Sequence, residues 1–255
     1  MKYLFSEGGL KFLESMCFTR TLLAFDFDGT LAPIVERPAD ARPAQRTVEL
    51  LQAISSKAPV AVISGRSLKD LKERIGFRPA FLVGNHGQEG LNKSPLALEA
   101  AQAACRAWRS RIERFLARSG EGAGVELEDK SFSLAIHYRR SRKKRQTRIS
   151  ILEFLTRMTP SPRLILGKSV VNLIPAGAPH KGMALLEAMV KAKAGSALYV
   201  GDDDTDEDVF ALPDARVLSV RVGEKQTSHA RYYVRRQGEV NQILSRLAGF
   251  LGARE

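Results

Sequence analysis

A short apolar run at residues 21–25, Thr-Leu-Leu-Ala-Phe, leads directly into two aspartates, Asp26 and Asp28. A run of this length and composition predicts a buried strand. Gly29 and Thr30 then predict a sharp turn, because glycine allows unusual backbone angles and threonine hydrogen-bonds locally. Two carboxylates beside a buried strand are costly unless a cation meets them. The stretch therefore predicts a cation site, with a solvated acidic turn as the alternative.

Two further apolar runs, at residues 59–63 and 80–83, follow before residue 90. Segments with helical spacing separate the three runs. Strands and helices that alternate with short connections predict a parallel sheet covered by helices, and such sheets bind ligands at the carboxyl ends of their strands. The polar residues that follow the three runs would share that edge: Asp26, Asp28, Ser64, Asn85 and His86.

The pattern changes between about residues 91 and 173. A long helix at 95–118, two short strands, a second helix at 142–158 and a further hairpin predict a small α+β unit with an antiparallel sheet. We expect this unit to be inserted into the parallel-sheet core, which would then consist of residues 1–90 and 174–255.

A second acidic cluster follows a later apolar run. Residues 201–208 contain five Asp and one Glu, and charges this dense repel one another unless a cation neutralises them. Thr205 is suited to begin a helix whose first turn would hold Glu207 and Asp208, which gives these two acids a structural role. Asp202 precedes that helix and is the better metal ligand. We expect the two acidic turns to share one Mg²⁺ ion.

The motifs and their order resemble those of the haloacid dehalogenase superfamily of phosphatases. They are Asp-Phe-Asp-Gly-Thr-Leu from Asp26, Ser-Gly-Arg from Ser64, Lys181 opening a helix, and the acidic octet 201–208. Within that superfamily the chain is more similar to the trehalose-6-phosphate phosphatase family, over about residues 20–245. This resemblance implies an α/β fold, with a Rossmann-like parallel-sheet core of the haloacid dehalogenase type and an inserted α+β cap domain.

The resemblance also implies a reaction, the Mg²⁺-dependent hydrolysis of trehalose 6-phosphate through an aspartyl-phosphate. Asp26 would be the nucleophile, and Asp28 the general acid and later the base. Ser64 and Lys181 would hold phosphate oxygens and neutralise their charge. The Mg²⁺ ligands would come from Asp26, the Asp28 carbonyl and Asp202, with Asp203 or Asp206 as an additional ligand.

The cap would select the sugar, since charged groups form strong hydrogen bonds to hydroxyls. Its residues that match the family's sugar contacts are Glu128, Lys130, Arg139 and Lys168. Asn172 stands where the family usually has glutamate, which keeps another glycosyl phosphate open, such as glucosylglycerol phosphate. Asn85 and His86 are further candidates for substrate contact, although His86 could simply satisfy its turn. Arg66 could bind phosphate or pair with acids at the sheet edge.

The chain is basic, with a formal net charge of +12 at pH 7. Residues 99–172 hold 16 Lys and Arg against 7 Asp and Glu, and seven of the ten residues at 139–148 are basic. A basic cap would attract an anionic phosphate ester. Nucleic-acid binding is the rival hypothesis, but 139–148 contains no aromatic residue for base stacking. We therefore expect a small sugar phosphate, and no nucleic acid, as the partner.

The sequence contains no run of 18 apolar residues, so it predicts no transmembrane helix. Mixed charges at residues 1–18 do not fit a signal peptide, and we expect a cytoplasmic protein without a membrane partner. Cys17 and Cys105 are too few for a disulfide framework.

Overall fold

The structure is a computed structural model that describes residues 1–91, 95–119, 122–167 and 169–253. Its strands are β1 (Lys2–Tyr3), β2 (Thr21–Phe25), β3 (Val60–Ile63), β4 (Phe81–Val83), β5 (Glu126–Asp129), β6 (Leu134–His137), β7 (Pro162–Gly167), β8 (Val170–Pro175), β9 (Ser196–Gly201), β10 (Val217–Val222) and β11 (Tyr232–Val234). Its helices are α1 (Glu7–Cys17), α2 (Gln45–Ser55), α3 (Leu68–Arg74), α4 (Pro95–Ser119), α5 (Lys144–Leu155), α6 (Lys181–Ala192), α7 (Glu207–Phe210) and α8 (Val240–Gly252).

The chain forms two compact units, which are described separately. The core unit consists of Met1–Leu91 and Pro179–Glu255, and the inserted unit of Asn92–Ala178. That the inserted unit acts as a cap stays a prediction. Among the helices of the described ranges, none combines the length and the apolar composition needed to cross a bilayer.

The core unit contains a seven-stranded parallel sheet in the order β1-β11-β10-β9-β2-β3-β4. β2 lies between β9 and β3, and Phe25 at its end pairs with Val200 on one side and Val62 on the other. Because the strands are parallel, the segments that follow β2, β3 and β9 leave the sheet at the same edge. This register places the two acidic turns side by side.

Helices cover both faces of this sheet, which explains why its strands are continuously apolar. All five residues of β2 are buried. Leu23 and Phe25 pack into a cluster with residues of α1, α2 and α8. Leu22 and Ala24 face the opposite way and pack with residues of α6. β2 is therefore held from both sides, and its end is a fixed point in the core.

The inserted unit has a four-stranded antiparallel sheet in the order β5-β6-β8-β7. Leu134 and Ile136 of β6 pack against Trp108 of α4 and Ile151 of α5 in one apolar cluster. The Trp108 indole N–H donates to the carbonyl of Pro160 at 2.7 Å, so its polar atom is satisfied inside that cluster. The prediction of an α+β unit with an antiparallel sheet is correct for this segment.

The ends of the core sheet differ from the sequence-based expectation. The spacing of apolar residues over 2–18 predicts one short amphipathic helix, whereas Lys2 and Tyr3 form β1 and pair with β11. The helix begins only at Glu7, after Ser6 accepts a hydrogen bond from the Gly9 N–H. β1 and β11 contain two and three residues, which is too short for an alternating pattern to show.

Candidate active site

Three carboxylates meet at the carboxyl edge of the core sheet. Asp26 follows β2, Asp202 follows β9, and Asp206 ends a short 3-10 turn. One oxygen from each carboxylate lies within 4.8 Å of the corresponding oxygens of the other two. The Asp26 N–H also donates to the carbonyl of Val200 at 2.8 Å, which fixes the start of the first turn. The structure thus brings the two acidic turns together.

Lys181 lies between two of these carboxylates. Its Nζ is 2.8 Å from Asp26 Oδ1 and 2.8 Å from Asp206 Oδ1, and the residue is buried. Burial alone favours the neutral amine, but the charges of Asp206 and Asp26 and their hydrogen bonds raise the pKa of Lys181. Asp206 also accepts from the Tyr199 hydroxyl at 2.6 Å and from the Asp203 N–H at 2.9 Å.

Two glycines allow this close packing. Gly29 has φ of +76°, in the left-handed region that favours glycine, and a Cβ at this position would overlap the Asp202 carboxylate. A Cβ at Gly201 would overlap the Asp206 carboxylate in the same way. The acidic turns can therefore approach each other only without side chains at these two positions.

The charges of the cluster fit a divalent cation. Asp26, Asp202 and Asp206 carry three negative charges when ionised and Lys181 supplies one positive charge, which leaves two to be balanced. In the described residues, the buried Oδ1 of Asp202 has no hydrogen-bond partner. Burial, followed by the charges of Asp206 and Asp203, raises the pKa of Asp202 to about 7. Burial also raises the pKa of Asp26, which Lys181 opposes.

Asp28 directs its carboxylate to Arg66. The Nε and Nη2 atoms of Arg66 each lie 2.6 Å from one oxygen of Asp28. A further nitrogen of Arg66 contacts Asp70 at 2.6 Å. Of the two interpretations of Arg66, this geometry favours pairing with acids at the sheet edge.

Ser64, Asn85 and His86 lie at the same edge, after β3 and β4. The His86 N–H donates to the Ser64 carbonyl at 2.9 Å, and the Asn85 N–H to the Arg66 carbonyl at 2.7 Å. Asn85 and His86 have φ of 48° and 57°, a strained backbone of the kind found at functional sites. The His86 ring packs against Gly65, where a Cβ would crowd it.

Asp203 has a structural contact in this structure. Its Oδ1 accepts from the Asp204 N–H at 2.7 Å, and it caps the 3-10 turn that Asp206 ends. Arg221 supports the same loop through the Asp203 carbonyl at 3.1 Å and Glu207 at 3.2 Å. Of the two late aspartates that were open as additional ligands, Asp206 is the one in the carboxylate cluster.

The inserted unit has Glu128 and Asn172 in strands of its sheet and Lys130 directly after β5. Glu128 Oε2 lies 2.8 Å from His137 Nε2 and 3.7 Å from Lys130 Nζ. Glu128 pairs with Ala135, which pairs with Asn172 on the next strand, so Glu128 and Asn172 share one face of the sheet. Glu128 and Asn172 thus lie on one face of the sheet, on either side of Ala135.

Arg139 is exposed just after β6. Asn172 is buried, and its amide donates to the Ile165 carbonyl at 3.5 Å. Lys168 lies outside the described residues.

Several contacts of the candidate site residues were not predicted from the sequence. Tyr199 contacts Asp206, Arg221 contacts Asp203, Asp70 contacts Arg66, and His137 contacts Glu128. Only Tyr199 carried a usable signal. A tyrosine in a fully apolar strand needs a partner for its hydroxyl, and the nearest polar residues in the sequence are those of the acidic octet.

Comparison with known proteins gives consistent matches. A family model described as "Trehalose-phosphatase" matches residues 24–235. A trehalose-phosphate phosphatase of Mycobacterium ulcerans is 30% identical over 249 residues, covering 93% of this chain and 64% of that protein. The Mycobacterium tuberculosis H37Rv protein of the same name is 34% identical over 193 residues, covering 73% of this chain and 49% of that protein. The chain thus spans about half to two thirds of these relatives.

Among solved structures, the C-terminal domain of the Candida albicans trehalose-6-phosphate phosphatase superimposes with a TM-score of 0.79 and 24% identity. The match covers 94% of this chain and 96% of that domain. The predicted fold class, an α/β protein with a Rossmann-like parallel core and an inserted α+β unit, is confirmed.

Proposed function

The chain belongs to the trehalose-phosphatase family, and we propose on this basis that it hydrolyses trehalose 6-phosphate to trehalose and inorganic phosphate. This family match confirms the resemblance that the sequence motifs indicate. The observation that carries the proposal is the cluster of Asp26, Asp202 and Asp206, in which buried Lys181 contacts Asp26 and Asp206. A solvated acidic turn would not bury two carboxylates on one buried lysine with a third, half-buried carboxylate beside them.

In the first step Asp26 attacks the phosphorus of the substrate. Lys181 occupies Oδ1, so Oδ2 forms the new bond to phosphorus while the bond from phosphorus to the sugar oxygen breaks. Asp28 gives its proton to that oxygen, which leaves as the sugar hydroxyl. The products of this step are the free sugar and an aspartyl-phosphate on Asp26.

In the second step water attacks the phosphorus of the aspartyl-phosphate. Asp28, now ionised, takes a proton from that water, and the bond from phosphorus to Asp26 breaks. Inorganic phosphate leaves and Asp26 returns as a carboxylate. Asp28 regains its proton in this step and is ready for the next substrate.

Charge neutralisation is the other requirement of phosphoryl transfer. Lys181 and Ser64 hold phosphate oxygens in this proposal. Asp26, Asp202 and the Asp28 carbonyl would hold Mg²⁺, with Asp206 and Asp203 close by. When bound, the ion supplies positive charge to the phosphate oxygens.

The inserted unit would be the cap that selects the sugar. Its sugar contacts would come from Glu128, Lys130, Arg139, Lys168 and Asn172, with Asn85 and His86 contributed by the core unit. Because Asn172 replaces the usual glutamate, another glycosyl phosphate stays open as substrate. The cytoplasm stays our prediction for its location.

A phosphate-release assay tests the proposal. We expect turnover of trehalose 6-phosphate with Mg²⁺ and none with a chelator, tested beside a panel of other glycosyl phosphates that includes glucosylglycerol phosphate. Asp26→Asn should abolish turnover, because an amide oxygen does not form a stable ester with phosphorus. Asp204→Asn, an exposed acid in the late turn, is the matched control and should stay active. Turnover by Asp26→Asn above about a tenth of wild type would overturn the mechanism.

A further inference from the structure

We propose that Arg66 is a positioning residue that fixes the general acid Asp28, and that it does not bind the substrate's phosphate. This inference rests on the proposed function, in which Asp28 protonates the leaving sugar. It concerns a contact that the Ser-Gly-Arg motif does not predict, because the acid and the arginine lie 38 residues apart.

Arg66 holds both oxygens of Asp28. Nε donates to Oδ2 and Nη2 to Oδ1, each at 2.6 Å. A planar guanidinium that meets a carboxylate in this two-point manner fixes its orientation as well as its position. This two-point contact is called the fork below. As long as the fork is intact, the Asp28 carboxylate cannot rotate.

The guanidinium of Arg66 has further hydrogen-bond partners besides Asp28. Nη1 donates to Asp70 Oδ2 at 2.6 Å, and Nη2 also donates to the Pro38 carbonyl at 2.8 Å. The Arg66 Cζ lies 5.3 Å from the centre of the Phe27 ring, within range of a cation–π contact. These contacts engage four of the five N–H donors of a guanidinium. A substrate phosphate could bind Arg66 only by displacing them.

Asp70, which holds Arg66, lies in the first turn of α3. Ser67 caps this helix by accepting from the Asp70 N–H at 3.2 Å. Asp70 Oδ1 accepts from Arg74 Nε at 2.7 Å, while its other oxygen meets Arg66. Asp70 is thus fixed by its backbone and by two arginines. It provides a rigid support for Arg66.

Asp28 needs such support because its own surroundings are open. Its side chain is 42% exposed, whereas that of Arg66 is 11% exposed. Gly29 follows it at φ of +76°, a residue without a side chain to pack against it. An exposed aspartate changes rotamer freely, yet a general acid must stay within hydrogen-bond reach of the leaving oxygen.

Both steps of the proposed reaction require Asp28 at the same position. It gives a proton to the sugar oxygen as the phosphorus–oxygen bond breaks, and it later takes one from the attacking water. Each carboxylate oxygen has two lone pairs, so one that faces the substrate can carry the proton while Arg66 still holds the group. The fork thereby keeps the same group in place for both proton transfers.

Substrates with different leaving groups test this role. A sugar alkoxide needs protonation as it leaves, whereas the nitrophenolate of p-nitrophenyl phosphate needs little. We expect Arg66→Lys, which keeps the charge but loses the fork, to lower kcat/KM for the sugar phosphate about 100-fold and for the aryl phosphate about threefold at most. Equal losses on both substrates would overturn the proposal, since they would show that Arg66 acts on the shared phosphate.

Arg74→Lys is the matched control. Arg74 has the same side-chain exposure of 11% and also binds Asp70, and it donates to the Ala39 carbonyl. Loosening of α3 alone would therefore affect the Arg74 and Arg66 variants alike. We expect Arg74→Lys to keep the ratio of sugar to aryl activity, and an equal change of this ratio in both variants would overturn the proposal.

A double variant tests whether Arg66 acts through Asp28. In an Asp28→Asn background, Arg66→Lys should cause no further loss with the sugar phosphate, whereas multiplied losses would contradict the inference. The ratio of the two substrates does not depend on the folded fraction of a variant, and Arg66→Gln provides a second substitution with the same expected ratio. Turnover that survives Asp26→Asn would instead count against the proposed function itself.

Discussion

Asp202 shows how burial alters a single carboxylate. Burial, then the charges of Asp206 and Asp203, raises its pKa to about 7, from an unfolded value of about 3.9. Between these values the folded protein binds a proton at Asp202 that the unfolded chain has released. The contribution of this group to metal-free stability is therefore present below about pH 4 and falls as the pH rises toward about 7.

Magnesium should reverse this dependence, because a metal binds the ionised carboxylate and competes with its proton. We expect Mg²⁺ at about 100 times its Kd near pH 8 to add about 2.7 kcal/mol to the free energy of unfolding. The same concentration near pH 5 should add much less, as measured by the shift in Tm. Asp202→Asn should remove most of the difference between the two pH values, and Asp204→Asn should keep it. Equal shifts at both pH values would contradict the assignment of Asp202.

At the scale of an element, β9 organises most of the candidate site. Tyr199 donates its hydroxyl to Asp206, Val200 accepts from the Asp26 N–H, and Asp202 follows the strand directly. Gly201 ends β9 against the Asp206 carboxylate. Asp206 is fully buried, and Lys181 also fixes it, so this carboxylate cannot move aside for a larger residue.

Gly201→Ala should therefore be destabilising. The added methyl would overlap the Asp206 carboxylate, and overpacking of a buried site costs typically about 1–3 kcal/mol. Urea unfolding measures the loss, and turnover should fall with it because Asp206 must shift. Gly195→Ala is the control just before the same strand, since a Cβ there meets nothing within 4 Å. A Gly201→Ala protein as stable as the Gly195→Ala protein would refute the packing argument.

At the scale of the whole molecule, charge is divided unevenly along the chain. Residues 99–172, all within the inserted unit, carry a net charge of +9 out of +12. The core unit instead holds the three-carboxylate cluster. The unit proposed to select the sugar is thus the one that would attract an anionic substrate.

Selection of the sugar by the inserted unit predicts a substrate-dependent effect of Glu128. Glu128→Ala should lower kcat/KM for the sugar phosphate by about tenfold or more, because a charged hydrogen bond to a hydroxyl is lost. Its effect on p-nitrophenyl phosphate should be small. Glu126→Ala, an exposed glutamate on the same strand, is the matched control. Losses of equal size on both substrates would show that Glu128 does not contact the sugar.

Most of the elements could be predicted because their patterns are local. The helix predicted at 95–118 is found at Pro95–Ser119, and the strand predicted at 21–25 is found unchanged. The edge strand Lys2–Tyr3 and its neighbour Tyr232–Val234 could not be predicted, since they pair with each other across more than 200 residues of chain. Short strands at a sheet edge are selected by tertiary contacts and leave little periodicity in the sequence.

The sequence by itself determined the chemistry of this protein: which acids, which lysine and which glycines follow the apolar strands, and in what order. Only the tertiary structure decided which of them meet. The parallel register of β2 and β9 placed Asp206 in the cluster and left Asp203 as a cap, and the fold directed Arg66 to Asp28. Contacts of this kind require distances that are correct to within a few tenths of an ångström between segments far apart in the chain. Residue order does not encode such distances locally.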